Sequence, residues 1–204
     1  MLTLFEDTQL FNSGELRIKA FDIPDAELTL WEHFIKRDEA DTFYNTLLAE
    51  TPWKQEEITV YDKTHLTPRM CVWYGKNRDP LKPVRALTPT LETIKQKVEN
   101  ACGVQFTSVL VNLYRDGKDG VGWHRDHDRE LGPRPVVASV SFGETRPFEI
   151  RHKFKKEIEK IRILLNHGSF LLMAGEMQHF WEHQVPKTAK EIKPRINLTF
   201  RIVY

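Results

Sequence analysis

The sequence is poor in cysteine, has no long hydrophobic run and carries no excess of charge of either sign. Its 204 residues include two cysteines, Cys71 and Cys102, which form no close pair and no metal-ligand spacing. This usage predicts reduced thiols in a cytosolic or nuclear protein. No apolar stretch approaches the roughly 20 residues that span a bilayer, and the first residues lack the basic and apolar segments of a signal peptide. We therefore expect an intracellular protein with no membrane partner.

The charges of the chain nearly cancel. Thirty Lys and Arg against 29 Asp and Glu give a net charge of +1, so no global field indicates a nucleic-acid or membrane partner. Hydrophobic residues make up 40% and charged residues 29% of the chain, as in ordinary globular domains. A chain of this length buries a sizeable core, and we expect one compact, monomeric unit.

Two stretches have the apolar spacing of helices. Residues 38–50 repeat apolar side chains every three or four positions, with Asp38 as the expected N-cap. Residues 88–102 begin with a Thr-Pro pair, keep the same spacing and stop before Gly103. The sequence thus predicts helices over both ranges.

Short β-like runs occupy much of the remaining chain. Residues 56–61 and 69–75 form two of them before the second helix. Further strands at about ten-residue spacing predict a sandwich or barrel in the second half, over 106–114, 136–142, 146–152, 158–165, 168–173, 180–185 and 195–203. The predicted fold class is α+β, mainly β.

The final strand has an unusual polar face. Arg195, Asn197, Thr199 and Arg201 alternate with apolar residues and therefore share one side of the strand. Such a face is often simply solvated in antiparallel sheets. However, a guanidinium group makes a planar, bidentate match to a carboxylate, so two inward arginines would suit an anionic ligand inside a jelly roll.

The stretch "VGWHRDHDRELG" (121–132) contains a possible metal site. His124 and Asp126 lie two residues apart and share a face of an extended chain. With His183 as third ligand they would form the facial triad of non-haem Fe(II) oxygenases, although His179 is a rival for that place. A structural zinc site would require more cysteine. The open positions of a triad accept a bidentate oxo-acid and O₂, and Arg195 could bind the far carboxylate of that acid.

These residues resemble the AlkB family of Fe(II)/2-oxoglutarate dioxygenases, especially members that repair alkylated DNA. The resemblance rests on the His-x-Asp…His set together with "NLYRDG" (112–117), "VASVSFG", "FEIRHK" and "RINLTFR" (195–201). It is dense over residues 106–204, looser over 50–80 and almost absent from 1–25. It implies a double-stranded β-helix (jelly-roll) core over 86–204, preceded by an N-terminal extension and a helix/hairpin nucleotide-recognition lid in residues 1–85.

The resemblance also implies the roles of individual residues. Iron would be bound by His124, Asp126 and His183, and Arg195 would pair with the distal carboxylate of 2-oxoglutarate. The rest of the co-substrate pocket would consist of Asn112, Tyr114, Asn197 and Arg201. The family reaction consumes O₂, converts 2-oxoglutarate to succinate and CO₂, and hydroxylates an N-methyl carbon, which then leaves as formaldehyde. The cofactor carries the difficult chemistry, and the protein positions it.

Candidate substrate contacts follow from the same resemblance. Asp128 lies where the family often has an acid that binds the exocyclic amine of a damaged base, and a carboxylate suits a cationic methylated base. Trp73 and Tyr74 would stack on a flipped base, or pack in the core. Tyr61 would be a hairpin finger that fills the gap in a duplex, or pack within the lid. Arg162 would border the pocket.

The expected substrate is DNA with N-alkylated bases such as 1-methyladenine or 3-methylcytosine. His127, between the two aspartates, leaves the base preference open. The alternatives are methylated RNA with the same chemistry, a protein side chain, or a module that binds lesions without turnover. The run "RHKFKK" (151–156) with Lys187, Lys190 and Lys193 suits phosphate contacts, although a solvated charged surface explains these residues equally well.

Overall fold

A computed structural model describes residues 16–204 except 61, 62, 78, 80 and 82. The strands are β1 (Arg17–Phe21), β2 (Glu27–Glu32), β3 (Glu57–Val60), β4 (Lys63–Leu66), β5 (Met70–Gly75), β6 (Ser108–Tyr114), β7 (Val121–His124), β8 (Val137–Gly143), β9 (Arg146–His152), β10 (Ile161–Leu165), β11 (Ser169–Ala174), β12 (Trp181–Val185) and β13 (Arg195–Arg201). The helices are α1 (Arg37–Glu50), α2 (Pro89–Cys102) and α3 (Met177–Phe180). None of the helices in the described part of the chain is both long and apolar enough to cross a membrane.

The strands form two antiparallel sheets and one separate hairpin. The larger sheet has the order β1-β2-β11-β8-β13-β6-β5, and the smaller sheet has the order β10-β9-β12-β7. Within the part of the chain that the structure describes, strands β3 and β4 pair only with each other. Two facing antiparallel sheets with few helices constitute the double-stranded β-helix fold, so the predicted fold class is confirmed.

Two apolar cores hold the layers together. One core packs α1 and α2 against one face of the larger sheet, through side chains such as Leu47, Ile94 and Leu198. The other fills the space between the two sheets, with Ile150, Leu171 and Trp181 among its buried members. The larger sheet is therefore covered on both faces, and its polar side chains that face the smaller sheet are shielded from solvent.

The two predicted helices are present, with one correction at an N-cap. The Thr88 hydroxyl caps α2 by accepting a hydrogen bond from the amide of Leu91 at 3.3 Å, and Gly103 ends the helix with φ 71°. Helix α1 begins at Arg37 rather than after an Asp38 cap. Asp38 lies in its first turn, where a carboxylate is favoured by the helix dipole.

The N-terminal strands were not expected from the sequence. Strand β1 is exposed along most of its length, and neither of its faces is buried. In β2 only Leu28 and Leu30 are buried. Strands β1, β2 and β5 nevertheless extend the larger sheet. The division of the chain at residue 85 stays a prediction.

Candidate metal and co-substrate site

The three predicted metal ligands meet between the sheets. His124 ends β7 and lies directly opposite His183 of β12, with ring centroids 4.3 Å apart. Asp126 follows two residues after β7. One ligand atom from each of the three residues lies within 4.8 Å of the others, which is the proximity that a shared metal ion requires.

A β-bulge in β7 aims His124 into this cluster. Val185 pairs with Val121 and His183 with His124, so two steps along β12 match three steps along β7. On a regular strand, residues three positions apart such as Val121 and His124 would point to opposite faces. The bulge takes up one residue, so both side chains line the cavity. The Gly122 carbonyl in the bulge accepts a hydrogen bond from His124 Nδ1 at 2.8 Å. This bond leaves the lone pair of His124 on Nε2, available to a metal.

The protonation states of the buried ligands also suit a divalent cation. Burial alone would raise the pKa of Asp126, but Arg201 and the two histidines outweigh it and lower that pKa to about 2. Burial, reinforced by His124, lowers the pKa of His183 to about 3. At neutral pH the site therefore offers a carboxylate and a neutral imidazole, the ligand forms that metals bind.

Two side chains hold Asp126 in place, and neither was predicted from the sequence to contact it. Arg201 Nη2 donates to Asp126 Oδ1 at 2.8 Å. The backbone amide of Asp126 donates to Oε1 of Gln178, a fully buried residue of α3. Since α3 leads directly into β12, Gln178 connects the segment that carries Asp126 with the strand that carries His183.

His179 is not part of the ligand cluster. Its Nε2 hydrogen-bonds the carbonyl of Pro133, and its Nδ1 lies 3.2 Å from Nε2 of His127. These contacts join α3 to the loop that follows Asp126. The geometry brings together His183, and not His179, with His124 and Asp126.

A single cavity unites the residues assigned to iron and co-substrate. It is lined by His124, Asp126, His183, Asn112, Tyr114, Arg195, Asn197 and Arg201. A larger groove of about 710 Å³ lies elsewhere, at the start of α1, and contains none of them. The residues predicted to bind the metal and the co-substrate therefore share the smaller cavity between the sheets.

Arg195 supplies a buried cation in this cavity. Its Nη2 donates to Ser141 Oγ at 2.9 Å, and its guanidinium group lies over the ring of Tyr114, 5.2 Å from the centroid. Its Nε and Nη1 are buried and find no hydrogen-bond partner among the described residues. Burial lowers the pKa of Arg195 to about 10, so the group remains charged at neutral pH. A buried cation with free donors fits a ligand carboxylate.

The two asparagines of the pocket are oriented by Ser139, Thr199 and Arg69, of which only Thr199 was indicated by the sequence. Asn197 donates to Ser139 Oγ at 2.8 Å, and its Oδ1 accepts from Thr199 at 2.9 Å. Asn112 Oδ1 accepts from Arg69 Nε at 3.0 Å. The contact between Asn197 and Ser139 could be predicted if the pairing of β8 with β13 were known. The contact between Arg69 and Asn112 could not, because nothing in the sequence around Arg69 indicates it.

The predicted substrate residues lie in different environments. Trp73 is half-buried, its Nε1 donates to the carbonyl of Lys76, and Arg201 lies 5.7 Å from its ring centroid, next to the cavity. Tyr74 points to the other face of β5, as alternation requires, and is buried at 2% exposure in the core beneath the helices. The structure therefore separates the two aromatic residues.

The remaining candidates lie outside the cavity lining. Asp128 is exposed just after Asp126, and Arg162 is exposed on β10, at the edge of the smaller sheet opposite β7. Tyr61 falls outside the described residues. Strands β3 and β4 place Val60 opposite Lys63, on either side of that position.

Comparisons with known proteins decide the family. A family model described as "2OG-Fe(II) oxygenase superfamily" matches residues 27–201. The human alpha-ketoglutarate-dependent dioxygenase alkB homolog 3 is 40% identical over 191 residues, which cover 88% of this chain and 67% of the relative. The chain belongs to the AlkB family of 2OG-Fe(II) oxygenases.

Other AlkB proteins are similar over nearly the same range. The human DNA oxidative demethylase ALKBH2 is 36% identical over 179 residues, covering 80% of this chain and 68% of the relative. A protein of the same name from Arabidopsis thaliana is 31% identical over 209 residues, covering 87% of this chain and 67% of the relative. The structure of OsALKBH1 superposes with a TM-score of 0.64 at 18% identity, covering 92% of this chain and all of that one, which supports the fold.

This AlkB oxygenase uses Fe(II) and 2-oxoglutarate, and its residues fit both. Two histidines and one carboxylate form the donor set of a facial Fe(II) site, and His124, Asp126 and His183 would hold the metal. The unpaired donors of Arg195 would hold the distal carboxylate. Bound together, the metal and co-substrate supply the activation of O₂ that oxidises an inert C–H bond. The protein would hold and orient both groups through these residues.

Replacement of Gln178 tests the support of Asp126. Gln178→Leu removes the acceptor for the Asp126 amide, and we expect the affinity for Fe(II) to fall about 10- to 100-fold. Equilibrium dialysis under argon measures this change. Met177→Leu, a fully buried neighbour on α3, is the matched control and should bind iron normally. Equal losses in both variants would reduce the role of Gln178 to general packing of α3.

Proposed function

We propose that this AlkB oxygenase removes N-alkyl groups from bases in DNA, such as those of 1-methyladenine and 3-methylcytosine, and releases formaldehyde and succinate. The observation that carries the proposal is the 36% identity, over 80% of the chain, with a human protein named DNA oxidative demethylase. The assembled ligand set and the buried Arg195 agree with turnover. A module that only bound lesions would have no use for these costly buried groups.

The position of Trp73 supports base recognition beside the cavity. A flipped base would stack on its ring, next to Arg201, since enzymes that act on a base must extrude it from the duplex. Asp128, two residues beyond Asp126, would accept hydrogen bonds from the exocyclic amine of the cationic base. We assign substrate binding to these two residues and to Tyr61.

Local basic residues would hold the phosphate backbone. Lys153, Lys155 and Lys156 lie between β9 and β10 beside Phe154, which is 61% exposed. Lys155 also pairs with Asp25 at 2.6 Å. Exposed Lys187, Lys190 and Lys193 form a second basic group before β13. Patches of this kind bind phosphates although the net charge of the chain is only +1.

Formaldehyde release from methylated oligonucleotides tests the proposal. The panel contains 1-methyladenine and 3-methylcytosine in single- and double-stranded DNA and in RNA, and Asp126→Ala serves as the inactive control. We expect release from DNA that depends on both iron and 2-oxoglutarate. Release of formaldehyde from RNA alone would show that the substrate is RNA and not DNA. Release from none of the substrates would refute dealkylation of these bases.

The same panel of oligonucleotides tests whether Tyr61 inserts into the duplex. We propose that this residue, between the paired strands β3 and β4, fills the gap left by a flipped base and offsets the unstacking cost. Tyr61→Ala should then lower formaldehyde release from duplex DNA much more than from single strands, where no gap forms. Equal losses on both substrates, or a matching drop in melting temperature, would instead indicate packing within the lid.

A further inference from the structure

A second buried arginine, Arg146, lies near Arg195. Arg146 begins β9 and is 2% exposed, while Arg195 is 1% and Tyr114 is 3% exposed. The guanidinium groups of Arg146 and Arg195 lie over the same tyrosine ring, 5.8 Å and 5.2 Å from its centroid. Arg146 does not line the cavity, so it makes no contact with a ligand there and can act on one only through its neighbours and through its charge.

The contacts of Arg146 hold the side chain in place without neutralising it. Its Nη1 donates to the carbonyl of Asp116 at 3.3 Å, and its Nη2 donates to those of Asp119 and Pro186 at 2.9 and 2.7 Å. Its Nε finds no acceptor within the described residues. The nearby carboxylate of Asp119 is bound by Arg115 at 2.8 Å. Burial lowers the pKa of Arg146, and the nearby carboxylates of Asp119, Asp116 and Glu144 partly offset that effect. Among the described residues none of these carboxylates forms an ion pair with the guanidinium group, so its positive charge is partly screened and not cancelled.

We propose that Arg146 is a positioning residue that, through Tyr114 and Arg195, makes the co-substrate pocket prefer a 2-oxo acid with a second carboxylate over a 2-oxo monocarboxylate. The ring of Tyr114 fixes the place of both guanidinium groups by cation–π contact. Arg195 binds the second carboxylate, and Arg146 adds a more distant positive charge behind it. The inference depends on 2-oxoglutarate as co-substrate and not on the nature of the methylated substrate.

The magnitude follows from electrostatics. Two unit charges about 10 Å apart, in a protein medium of effective dielectric constant about 20, interact strongly enough to change an affinity about tenfold. Repulsion from Arg146 also contributes, after burial, to the lowered pKa of Arg195. An anion in the pocket relieves this repulsion. A monocarboxylate that binds at the metal leaves the space beside Arg195 uncharged and gains little.

Binding of two 2-oxo acids of equal chain length tests the proposal. Calorimetry under argon, on Fe(II)-loaded protein without nucleic acid, gives the Kd of 2-oxoglutarate and of 2-oxopentanoate, which lacks the second carboxylate. In Arg146→Gln and Arg146→Met we expect the Kd of 2-oxoglutarate to rise about tenfold and that of 2-oxopentanoate to stay unchanged. Arg146→Lys keeps the charge and should retain most of the preference.

Arg85→Gln is the matched control. Its guanidinium group also lies over a tyrosine ring, 5.5 Å from the centroid of Tyr74, but on the helix-covered face of the larger sheet, and its loss should change neither Kd. The proposal is overturned if both acids lose affinity equally in the neutral Arg146 variants, or if neither does. It is also overturned if Arg146→Lys behaves like the neutral variants. If both neutral variants fail to fold, Arg146 is a structural clamp and the proposal fails.

Discussion

Asp126→Ala should abolish turnover and lower the affinity for Fe(II) by at least about 100-fold, beyond the loss expected for a supporting residue. Asp126 would supply the anionic ligand of the cluster. Its carboxylate is ionised because Arg201 and the two histidines outweigh the effect of burial and lower its pKa to about 2. Two neutral imidazoles alone bind a divalent cation weakly. The substitution also leaves the buried Arg201 without its 2.8 Å ion pair, so some loss of stability is expected.

Asp126→Asn separates the loss of metal from the loss of stability. The amide retains an oxygen for Arg201 but removes the charge that binds iron. We expect the fold to melt close to the wild-type temperature while iron dialyses away. His183→Ala should lose iron comparably, and His179→Ala, which removes contacts only outside the ligand cluster, should not. Normal activity in either Asp126 variant, or a greater loss in His179→Ala than in His183→Ala, would refute the ligand assignment.

Arg195→Ala should raise the Kd of 2-oxoglutarate about 100-fold, since a charge-assisted hydrogen-bonded pair contributes roughly 1.5–3 kcal/mol. The buried Nε and Nη1 donors, without partners in the described structure, are the groups that a carboxylate would satisfy. Arg195→Lys restores the charge but not the planar fork, so it should recover only part of the affinity.

Calorimetry on Fe(II)-loaded protein measures both Arg195 variants. Ser141→Ala is the control, because it removes only the acceptor of the 2.9 Å bond from Arg195 Nη2 and leaves the carboxylate-facing donors in place. We expect a much smaller change in Kd for that variant. Unchanged binding in Arg195→Ala would show that another residue binds the distal carboxylate.

Most of the candidate ligand set could be predicted from the sequence because its signals are local. His124 and Asp126 lie two residues apart, and the alternating polar residues of 195–201 form one face of a single strand. These polar residues proved to be buried, which distinguishes a ligand pocket from a solvated sheet face. Helix α2 was equally predictable, since its cap, its spacing and its terminal glycine lie within one short segment.

Features that depend on contacts between distant segments were not predictable. Gln178 is 52 residues from Asp126, and Arg69 is 43 residues from Asn112. Neither pairing leaves a trace in local spacing. Alternation places Trp73 and Tyr74 on opposite faces but does not tell which face meets the cavity. Strand β1 lacks a buried face and therefore lacks the pattern by which strands are recognised.

The bulge in β7 determines where this chain tolerates a change in length. The loop from residue 125 to 136 joins β7 to β8, and residues may be added far from Asp126 without altering the pairing of β7 with β12. Removal of one residue between Val121 and His124 would restore the regular pleat and keep the imidazole on the cavity face, but it would remove the bulge whose Gly122 carbonyl accepts the 2.8 Å hydrogen bond from His124 Nδ1. A Cβ atom at Gly122 would meet no atom within 4 Å, so at least a small side chain fits there. Between Val121 and His124 we therefore expect a change in the number of residues to be less well tolerated than a substitution.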